Sequence, residues 1–420
     1  MEWIDLMNSL VETHEGAAKF MSFPLSKRVN KENQDLVAIT PAKDMPVFYN
    51  PQMIINRDFS ILFTEAFIKK YCNNKQVSFF DIMAASGIRS IRMGLELPEL
   101  RIVMNDLNPM ALKLIRKNME LNGLVEQPNR LELVQKEANR FLFEKAMERD
   151  YGTIIDVDPF GTPNIFVENA IKALQRGGLL CVTATDTAVL FGVKKNACIR
   201  KYGIQSLKNG FFKEIGMRIL ITFIARFAHM HDLFIIPQFS LSQEHFIRIF
   251  MSFGKGEGEI KRNLENFGFI TSCPECFHYE SAKANNNKLM ELERSCPICH
   301  SRLQIVGPIW LGPLHNRELC KELIIITENK TAHQFPQLET VKKIGTLAPM
   351  EDELGIGYYN IHQICDKFKL NIMKYSLLKE KIEEKGYRFS RTYIDAKCIK
   401  TDIPANELIE ILKKSNFERK

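Results

Sequence analysis

The sequence lacks both a secretory leader and a long uninterrupted hydrophobic run. Its first five residues include two acids, where a signal peptide would lead into an apolar segment. The most apolar long stretch, residues 216–237, contains two arginines, two histidines and one aspartate, which predicts a core helix and not a membrane span. We therefore expect an intracellular protein, in the cytoplasm or the nucleus, with no membrane partner. We also expect it to be a monomer.

Several catalytic and cofactor signatures are missing as well. The chain has no P-loop, no HExxH and no GxSxG pattern, and Asp156-x-Asp158 lacks the rest of a calcium loop. Ten cysteines without an export signal indicate a reducing compartment, so metal binding is considered before disulfides. The formal net charge of +7 over 420 residues permits a nucleic-acid partner without requiring one.

The first half of the chain alternates between strand-like and helix-like segments. Apolar runs predict strands at residues 77–82, 101–106, 130–134, 152–158 and 177–183. This alternation predicts an α/β fold whose mostly parallel sheet is covered on both faces. A helix over residues 204–228 and strands at 234–236 and 245–253 follow. The composition then changes, so we predict one domain over residues 1–236 and a second over 237–420.

The fourth strand leads into Asp156-Val157-Asp158-Pro159-Phe160-Gly161. Pro159 cannot donate to a strand ladder and Gly161 permits unusual φ values, so the strand must end here. The carboxylates are thereby placed at the carboxyl edge of the sheet, where open α/β folds bind ligands. The alternative is an Asx-type turn beside a packed phenylalanine.

A second candidate site lies at the neighbouring strand ends. Ala84-Ala85-Ser86-Gly87 is a turn of small residues that lets a ligand approach a helix N-terminus, and Asp106 ends the next strand. A carboxylate at that position suits two ribose hydroxyls, which favours an adenosine ligand such as NAD or S-adenosylmethionine. Because the turn lacks GxGxxG, the methyl donor is favoured over a pyrophosphate. The alternative is a sheet of the same fold without a ligand.

Asp158 and its neighbours fit methyl transfer to an exocyclic amine of a base. Such a nitrogen is a weak nucleophile that needs to be oriented and to lose a proton, and a carboxylate can accept that proton. Base–aromatic stacking contributes about 1–3 kcal/mol per base, so Phe160 and Phe48 could hold an extruded base between them. For Phe48 the alternative is an ordinary packed loop aromatic.

The cysteine spacing gives a sharper prediction. Cys273-Pro274-Glu275-Cys276 and Cys296-Pro297-Ile298-Cys299 form a C-x2-C-x19-C-x2-C pattern, which is typical of zinc ribbons. Four thiolates complete a tetrahedron, so Cys273, Cys276, Cys296 and Cys299 predict a closed, structural Zn²⁺ site. The alternative is two thiol pairs in turns without metal.

Residues 387–400 interleave basic and aromatic side chains. The set comprises Tyr387, Arg388, Phe389, Arg391, Tyr393, Lys397 and Lys400. Such a stretch could follow a phosphate backbone, or it could be a solvated charged face, and the sequence leaves both open.

The order of these motifs resembles the tRNA guanine-26 N2-dimethyltransferase family. The resemblance runs from about residue 22 to 404 and is carried by segments that include Phe48-Tyr49-Asn50-Pro51, Ser86-Gly87-Ile88-Arg89, Asn105-Asp106, Asp156-Val157-Asp158-Pro159-Phe160-Gly161, Thr183-Ala184-Thr185-Asp186 and Gly307-Pro308-Ile309-Trp310. It implies a class I (Rossmann-like) methyltransferase sheet with a second, α+β, zinc-containing domain that binds tRNA. It also implies two methyl transfers from S-adenosylmethionine to guanine N2.

The resemblance also implies roles for single residues. Asp158 would be the catalytic proton acceptor, with Phe48 and Phe160 enclosing the guanine. Residues implied at the S-adenosylmethionine site are Arg57, Arg89, Asp106, Glu137 and Ala138, and Arg57 would pair with the methionine carboxylate. Glu137 stands where the family usually has Asp, and Phe212-Lys213 stand where Cys-His is expected.

Two other functions remain open from sequence. The chain could be an adenine or cytosine amino-methyltransferase that uses the same Asp-Pro-aromatic arrangement. It could also be an RNA-binding zinc protein whose methyltransferase fold is inactive.

Overall fold

The computed structural model describes residues 9–29, 36–40, 45–72, 76–243, 245–284 and 294–417. The acidic start of the chain lies outside these residues. Two antiparallel hairpins come first, β1 (Val11–Glu15) with β2 (Ala18–Ser22) and β3 (Ser26–Val29) with β4 (Leu36–Thr40).

A seven-stranded mixed sheet follows. Its strands are β5 (Ser78–Asp81), β6 (Arg101–Asn105), β7 (Leu131–Val134), β8 (Gly152–Val157), β9 (Leu174–Ala184), β10 (Leu233–Gln243) and β11 (Phe246–Lys255), in the order β10-β11-β9-β8-β5-β6-β7. The β8-β5-β6-β7 part is parallel, as the strand–helix alternation predicted. The pair β10-β11 is antiparallel, so the sheet is mixed. It has the Rossmann-like α/β arrangement that the sequence predicted.

Helices connect these strands. They are α1 (Ile54–Tyr71), α2 (Ile88–Glu96), α3 (Pro109–Leu121), α4 (Ala138–Met147), α5 (Val167–Ala173), α6 (Thr187–Leu190), α7 (Lys195–Tyr202) and α8 (Phe212–Met230). The start of α3 shows how sequence sets the bounds, because the Asn108 side chain accepts a hydrogen bond from Met110 N at 2.9 Å and Pro109 occupies the first helical position. The predicted helix over 204–228 begins later, at Phe212, because residues 205–208 form an irregular loop.

The sheet core explains why these strands form. All six residues of β8 are buried, and Phe79, Phe80, Ile154 and Ile155 have no exposed surface. A strand buried on both faces needs apolar residues at consecutive positions instead of alternating ones. The carboxyl ends of β5, β6 and β8 therefore emerge from a packed core, and the polar residues that follow them are held in place.

The remaining elements form two smaller sheets with flanking helices. They are α9 (Glu257–Leu264), β12 (Phe267–Ser272), β13 (Tyr279–Lys283), β14 (Gln304–Trp310), α10 (Arg317–Glu328), α11 (Leu338–Glu353), β15 (Tyr359–Asn360), α12 (Ile361–Phe368), α13 (Tyr375–Glu384), β16 (Phe389–Arg391), β17 (Cys398–Thr401) and α14 (Ala405–Phe417). The sheets have the orders β13-β12-β14 and β15-β17-β16. No helix in the described ranges is long and apolar enough to cross a bilayer.

The chain divides into two compact units. The first comprises residues 1–158, 169–181 and 321–342, and the second comprises 159–168, 182–320 and 343–420. The segment 321–342 belongs to the first unit through long-range bonds, since Gln337 N donates to Asp58 at 2.7 Å and Arg92 Nη2 donates to the Gln334 carbonyl at 3.2 Å. The domain boundary after residue 236 stays a prediction.

Candidate active site

The residues predicted to carry chemistry at the end of β8 meet a single arginine. The Arg89 guanidinium pairs through Nε with Asp156 at 2.8 Å and through Nη2 with Asp158. Arg89 and Asp156 are buried, while the Asp158 side chain keeps 22% of its surface exposed. Asp158 is therefore the member of this cluster that solvent or a substrate can reach.

Two residues of α1 hold the same guanidinium from the other side. Arg89 Nη1 donates to Asn56 Oδ1 at 2.8 Å and to Ser60 Oγ at 3.0 Å. All three guanidinium nitrogens of Arg89 therefore have protein partners, so Arg89 contacts Asp158 in a defined geometry. Sequence analysis missed Asn56 and Ser60, whose spacing of one helical turn is the signal that could have placed them on one face of α1.

Asp81, at the end of β5, adds a third carboxyl to the cluster. Burial, together with the neighbouring Asp156 carboxylate, raises the pKa of Asp81 to about 7, although Ser90 Oγ donates to its Oδ2 at 2.7 Å. Burial alone would lower the pKa of Arg89, but Asp156 and Asp158 outweigh burial and raise it. The cluster thus holds a permanent cation, and Asp81 carries a proton at mildly acidic pH.

Asp106 connects two strand ends. Its Oδ2 accepts from Ala85 N at 2.8 Å, and its Oδ1 accepts from Asn108 N at 2.8 Å. The small-residue turn is left-handed at Ala85 (φ 48°) and at Gly87 (φ 75°), and a Cβ on Gly87 would lie 2.9 Å from Ile115. A carboxylate has about four acceptor positions, so these two bonds orient Asp106 and still leave positions for two hydroxyls.

Asn105 holds the neighbouring strand ends in register and was missed as a site residue. Its Nδ2 donates to the carbonyls of Ile82 and Lys136, each at 3.0 Å, and its Oδ1 accepts from Lys136 N at 3.1 Å. Asn105 is fully buried, so these bonds are not exchanged with water.

Glu137 and Ala138 begin α4. Glu137 is the N-cap, and its Oε2 accepts from Arg140 N at 2.9 Å. Its side chain is exposed and Ala138 is buried. The Glu137 carboxylate thus satisfies a helix N-terminus in this structure.

Arg57 has a protein partner that sequence analysis did not find. Its Nε and Nη2 donate to the two oxygens of Glu15 at 2.6 and 2.5 Å, and Arg92 Nη1 donates to the same carboxylate at 2.9 Å. Burial on its own would raise the pKa of Glu15, but the two arginines outweigh it and lower the pKa. Glu15 lies 42 positions before Arg57, so no local pattern could reveal the pair.

The two predicted stacking aromatics differ in exposure. Phe160 is 73% exposed, whereas Phe48 is half-buried between Val47 and Tyr49, which are both buried. The turn that carries Phe160 is fixed at Gly161, where N donates to Thr185 Oγ1 at 2.8 Å and O accepts from Thr185 N at 2.9 Å. An exposed ring on a fixed turn is suited to stacking.

The four predicted metal ligands converge. The sulfurs of Cys273, Cys276, Cys296 and Cys299 all lie within 4.8 Å of one another. The Sγ–Sγ distances are 3.4 Å for Cys273–Cys299 and 3.5 Å for Cys276–Cys296, which suits four sulfurs at about 2.3 Å from one Zn²⁺. Glu275 N and Ile298 N each approach a cysteine sulfur at 3.4 Å, as donors that stabilise thiolates. The donor set therefore fits a tetrahedral zinc ion.

The basic stretch near the C-terminus is split by the structure. Lys400 is buried and pairs with Glu214 at 3.2 Å, and Tyr393 is buried with its hydroxyl on the Ser240 carbonyl at 2.7 Å. These two residues are part of the core, so they are removed from the predicted phosphate-binding set. Arg388 remains exposed beside Asp402.

Comparison with known proteins gives the family. A sequence model described as N2,N2-dimethylguanosine tRNA methyltransferase matches residues 26–413. The chain belongs to this family. It is 32% identical over 368 residues to the tRNA (guanine(26)-N(2))-dimethyltransferase of Methanosphaera stadtmanae, covering 87% of this chain and 90% of the relative. It is 36% identical over 334 residues to the tRNA (guanine(26)-N(2)/guanine(27)-N(2))-dimethyltransferase of Aquifex aeolicus, covering 79% and 81%.

A solved structure of the family has the same fold. The complex of Trm1 from Pyrococcus horikoshii with S-adenosyl-L-methionine superposes with a TM-score of 0.78 at 28% identity, covering 96% of this chain and 99% of that one. The predicted fold class and family resemblance are confirmed. The individual site residues remain predictions.

Phe212 and Lys213, where the resemblance led us to expect Cys-His, both have structural partners in this chain. Phe212 packs edge-to-face on Phe191 with 5.2 Å between ring centroids, and Lys213 Nζ donates to the Ile394 carbonyl at 3.3 Å. Both residues serve the packing at the start of α8.

Proposed function

We propose that this chain transfers two methyl groups from S-adenosylmethionine to the exocyclic N2 of guanine-26 in tRNA. Family membership over residues 26–413 carries the reaction class. The observation that carries the site is the ion pair of Asp158 with the buried Arg89 at the carboxyl end of β8. Asp158 is an accessible carboxylate in a position where α/β sheets bind ligands.

Asp158 is the proton acceptor in this proposal. The guanine amino nitrogen forms a bond to the methyl carbon, the carbon–sulfur bond breaks, and a proton of that nitrogen passes to an Asp158 oxygen. Arg89 pairs with Asp158 before the transfer, and its fixed hydrogen bonds orient the carboxylate. Phe160, which is exposed, and Phe48 are each proposed to stack on the guanine base.

The donor is proposed to lie against the small-residue turn. When bound, S-adenosylmethionine supplies an electrophilic methyl group. Asp106 would accept hydrogen bonds from the ribose, and Ala138, buried beside Glu137, would border the adenine. Arg57 is proposed to bind the methionine carboxylate. The ion pair with Glu15 fixes the orientation of the Arg57 guanidinium. It also compensates part of the Arg57 charge in the absence of the donor.

One experiment tests the proposal and its alternatives. Purified protein is incubated with labelled S-adenosylmethionine and unmodified tRNA, and the nucleosides are then separated. We expect N2,N2-dimethylguanosine, and none when guanine-26 of the transcript is replaced by adenine. A second transcript that lacks guanine-27 addresses the dual specificity named for the Aquifex relative. Methylated adenine or cytosine would establish the other amino-methyltransferase, and no transfer at all would favour the RNA-binding protein.

We further propose that the four-cysteine cluster holds a structural Zn²⁺ and that residues 237–420 form the tRNA-binding domain. The convergence of four thiols with no further ligand among the described residues supports the metal. The cytoplasm or the nucleus is also proposed as the compartment, in keeping with ten cysteines that form no disulfide. We also propose that the protein is a monomer.

A further inference from the structure

A cavity of about 260 Å³ lies within the second compact unit, and none of the residues used above for methyl transfer lines it. It is formed by the loop before α8, by the first cysteine turn with the start of β13, and by the segment around β15. Its lining includes Lys208, Asn209, Phe211, Phe277, Tyr279 and Tyr359. Drug-sized ligands occupy about 300–1,000 Å³, so this volume suits a smaller group, of the size of a single nucleobase.

The apolar side of the cavity is aromatic and rigid. The Phe211 and Tyr279 rings lie 4.8 Å apart, and the Tyr279 and Tyr359 rings lie 5.3 Å apart. Gly357 (φ 85°) fixes Tyr279, because a Cβ at position 357 would lie 2.5 Å from that ring. Phe211 and Tyr359 are buried, while Phe277 and Tyr279 are partly buried. The cavity therefore has a supported floor and ring surfaces that a flat ligand can reach.

The polar side consists of amides. Asn209 Oδ1 accepts from Phe211 N at 3.1 Å, whereas Asn209 Nδ2 is buried and donates to no atom of the described residues. A buried donor without an acceptor costs about 1–3 kcal/mol, which a ligand with a carbonyl or ring nitrogen would relieve. Asn360 Oδ1 caps α12 by accepting from Gln363 N at 3.1 Å. Gln304 and Gln363 add further amide donors and acceptors to the lining.

The charges select the class of ligand. The lining contains the exposed ammonium of Lys208 and, among its described residues, no carboxylate. A phosphate can therefore approach the rim without repulsion by a lining acid. Proteins read single-stranded RNA by stacking unpaired bases on aromatic rings and by hydrogen-bonding the base edges, for which amide side chains are suited.

We propose that this cavity binds one unstacked nucleobase of the tRNA, at a position other than the methylated guanine. In this proposal the Asn209 side chain turns its Nδ2 into the cavity to donate to the base edge, and Lys208 lies near the adjoining phosphate. The inference rests on tRNA being the substrate. The cavity would add affinity and orientation to tRNA binding and takes no part in the chemical step.

The test uses the full-length protein with Asn209→Asp. This substitution keeps the acceptor for Phe211 N but replaces the buried donor by a charged acceptor. We expect the Kd for tRNA to rise about tenfold or more, with kcat at saturating tRNA unchanged. Asn266→Asp is the matched control, since it makes the same charge change at an exposed amide that donates only to the Arg262 carbonyl, and its Kd should equal that of the wild type.

A second measurement localises the contact. Ultraviolet cross-linking of tRNA to the wild-type protein, followed by peptide mass spectrometry, should give nucleotide adducts on Phe277 or Tyr279, and the adducts should decrease in Asn209→Asp. The Kd for tRNA and the cross-linking pattern are both measured without a methyl donor, so these two results remain valid if the proposed reaction fails. An unchanged Kd in Asn209→Asp, or adducts that all lie outside the cavity, would overturn the proposal. Adenosine or guanosine 5′-monophosphate that binds through Asn209 while tRNA affinity is unaffected would also overturn it, in favour of a free nucleotide.

Discussion

At the scale of single residues, the candidate site is one cation among three carboxyl groups. Arg89 pairs with Asp156 and Asp158, and Asp81 lies in the same buried environment. Buried charges of one sign are unfavourable unless they are paired or protonated. The arginine and the raised pKa of Asp81 meet that requirement, and Asp158 remains the accessible carboxylate.

We predict that Asp158→Asn lowers the rate of methyl transfer by about 10²–10⁴, because the proton acceptor is lost. The affinity for S-adenosylmethionine should change little, since Asp158 is not among the residues proposed to bind the donor. Single-turnover kinetics and donor-binding calorimetry measure the two effects. Asp106→Asn is the matched control and should instead weaken donor binding. Transfer by Asp158→Asn at close to the wild-type rate would remove the catalytic assignment.

The protonation of Asp81 should make the free energy of unfolding depend on pH. Its pKa is raised in the folded state to about 7, so the stability it contributes is complete below its unfolded pKa of 3.8 and is lost as pH rises towards 7. The free energy of unfolding of the wild type should therefore fall as the pH rises from 5 to 8. We predict that in Asp81→Asn this fall is smaller by on the order of 1–2 kcal/mol, as measured by urea titration at each pH. Equal pH slopes in the variant and the wild type would contradict the shift.

Asp150→Asn is the control for that measurement. Hydrogen bonds from Arg101 lower the pKa of Asp150 to about 2, so its titration lies below the tested range. This variant should therefore keep the wild-type slope between pH 5 and pH 8.

At the scale of elements, a buried ion cluster joins α8 to β17 and to the turn before β15. Glu214 accepts from Arg218 Nη2 at 2.8 Å, from Lys400 Nζ at 3.2 Å and from Gly357 N at 3.1 Å. Burial by itself would raise the pKa of Glu214, but Lys400 and Arg218 outweigh burial and lower it to about 2. The stability it contributes is present above pH 4.5 and is lost as pH falls towards 2.

We predict that Glu214→Gln lowers the free energy of unfolding by about 3–5 kcal/mol at pH 7, because two buried cations lose their counter-charge. Guanidinium titration of the variant and the wild type measures this difference. Glu407→Gln is the control, since Glu407 pairs with Lys385 at the surface and its loss should leave stability nearly unchanged. A Glu214→Gln protein as stable as the wild type would show that the cluster is not stabilising.

At the scale of the whole molecule, the four-cysteine cluster joins two turns of the second unit, in which Cys276 and Cys296 are 20 positions apart. We predict that the purified protein contains one zinc per chain and that Cys296→Ser contains none, with a lower melting temperature, because a structural metal supplies folding energy. Elemental analysis and calorimetry provide the two readouts. Cys72→Ser, at a buried thiol outside the cluster, should retain the metal. A melting curve that neither Cys296→Ser nor a chelator alters would refute the structural role.

Three features could be predicted from the sequence by itself. They are the strands of the sheet, the four-cysteine metal site and the family. These features depend on local order: apolar runs form buried strands, Asn-Pro starts a helix, and C-x2-C turns present two thiols. Only the tertiary structure decided which charges meet. Glu15 reaches Arg57 from another element, Arg89 reaches Asp158 across 69 positions, and Lys400 is buried on Glu214 across 186 positions. Such pairs form because burial makes an unpaired charge costly, and chain packing, not spacing along the sequence, brings the partners together.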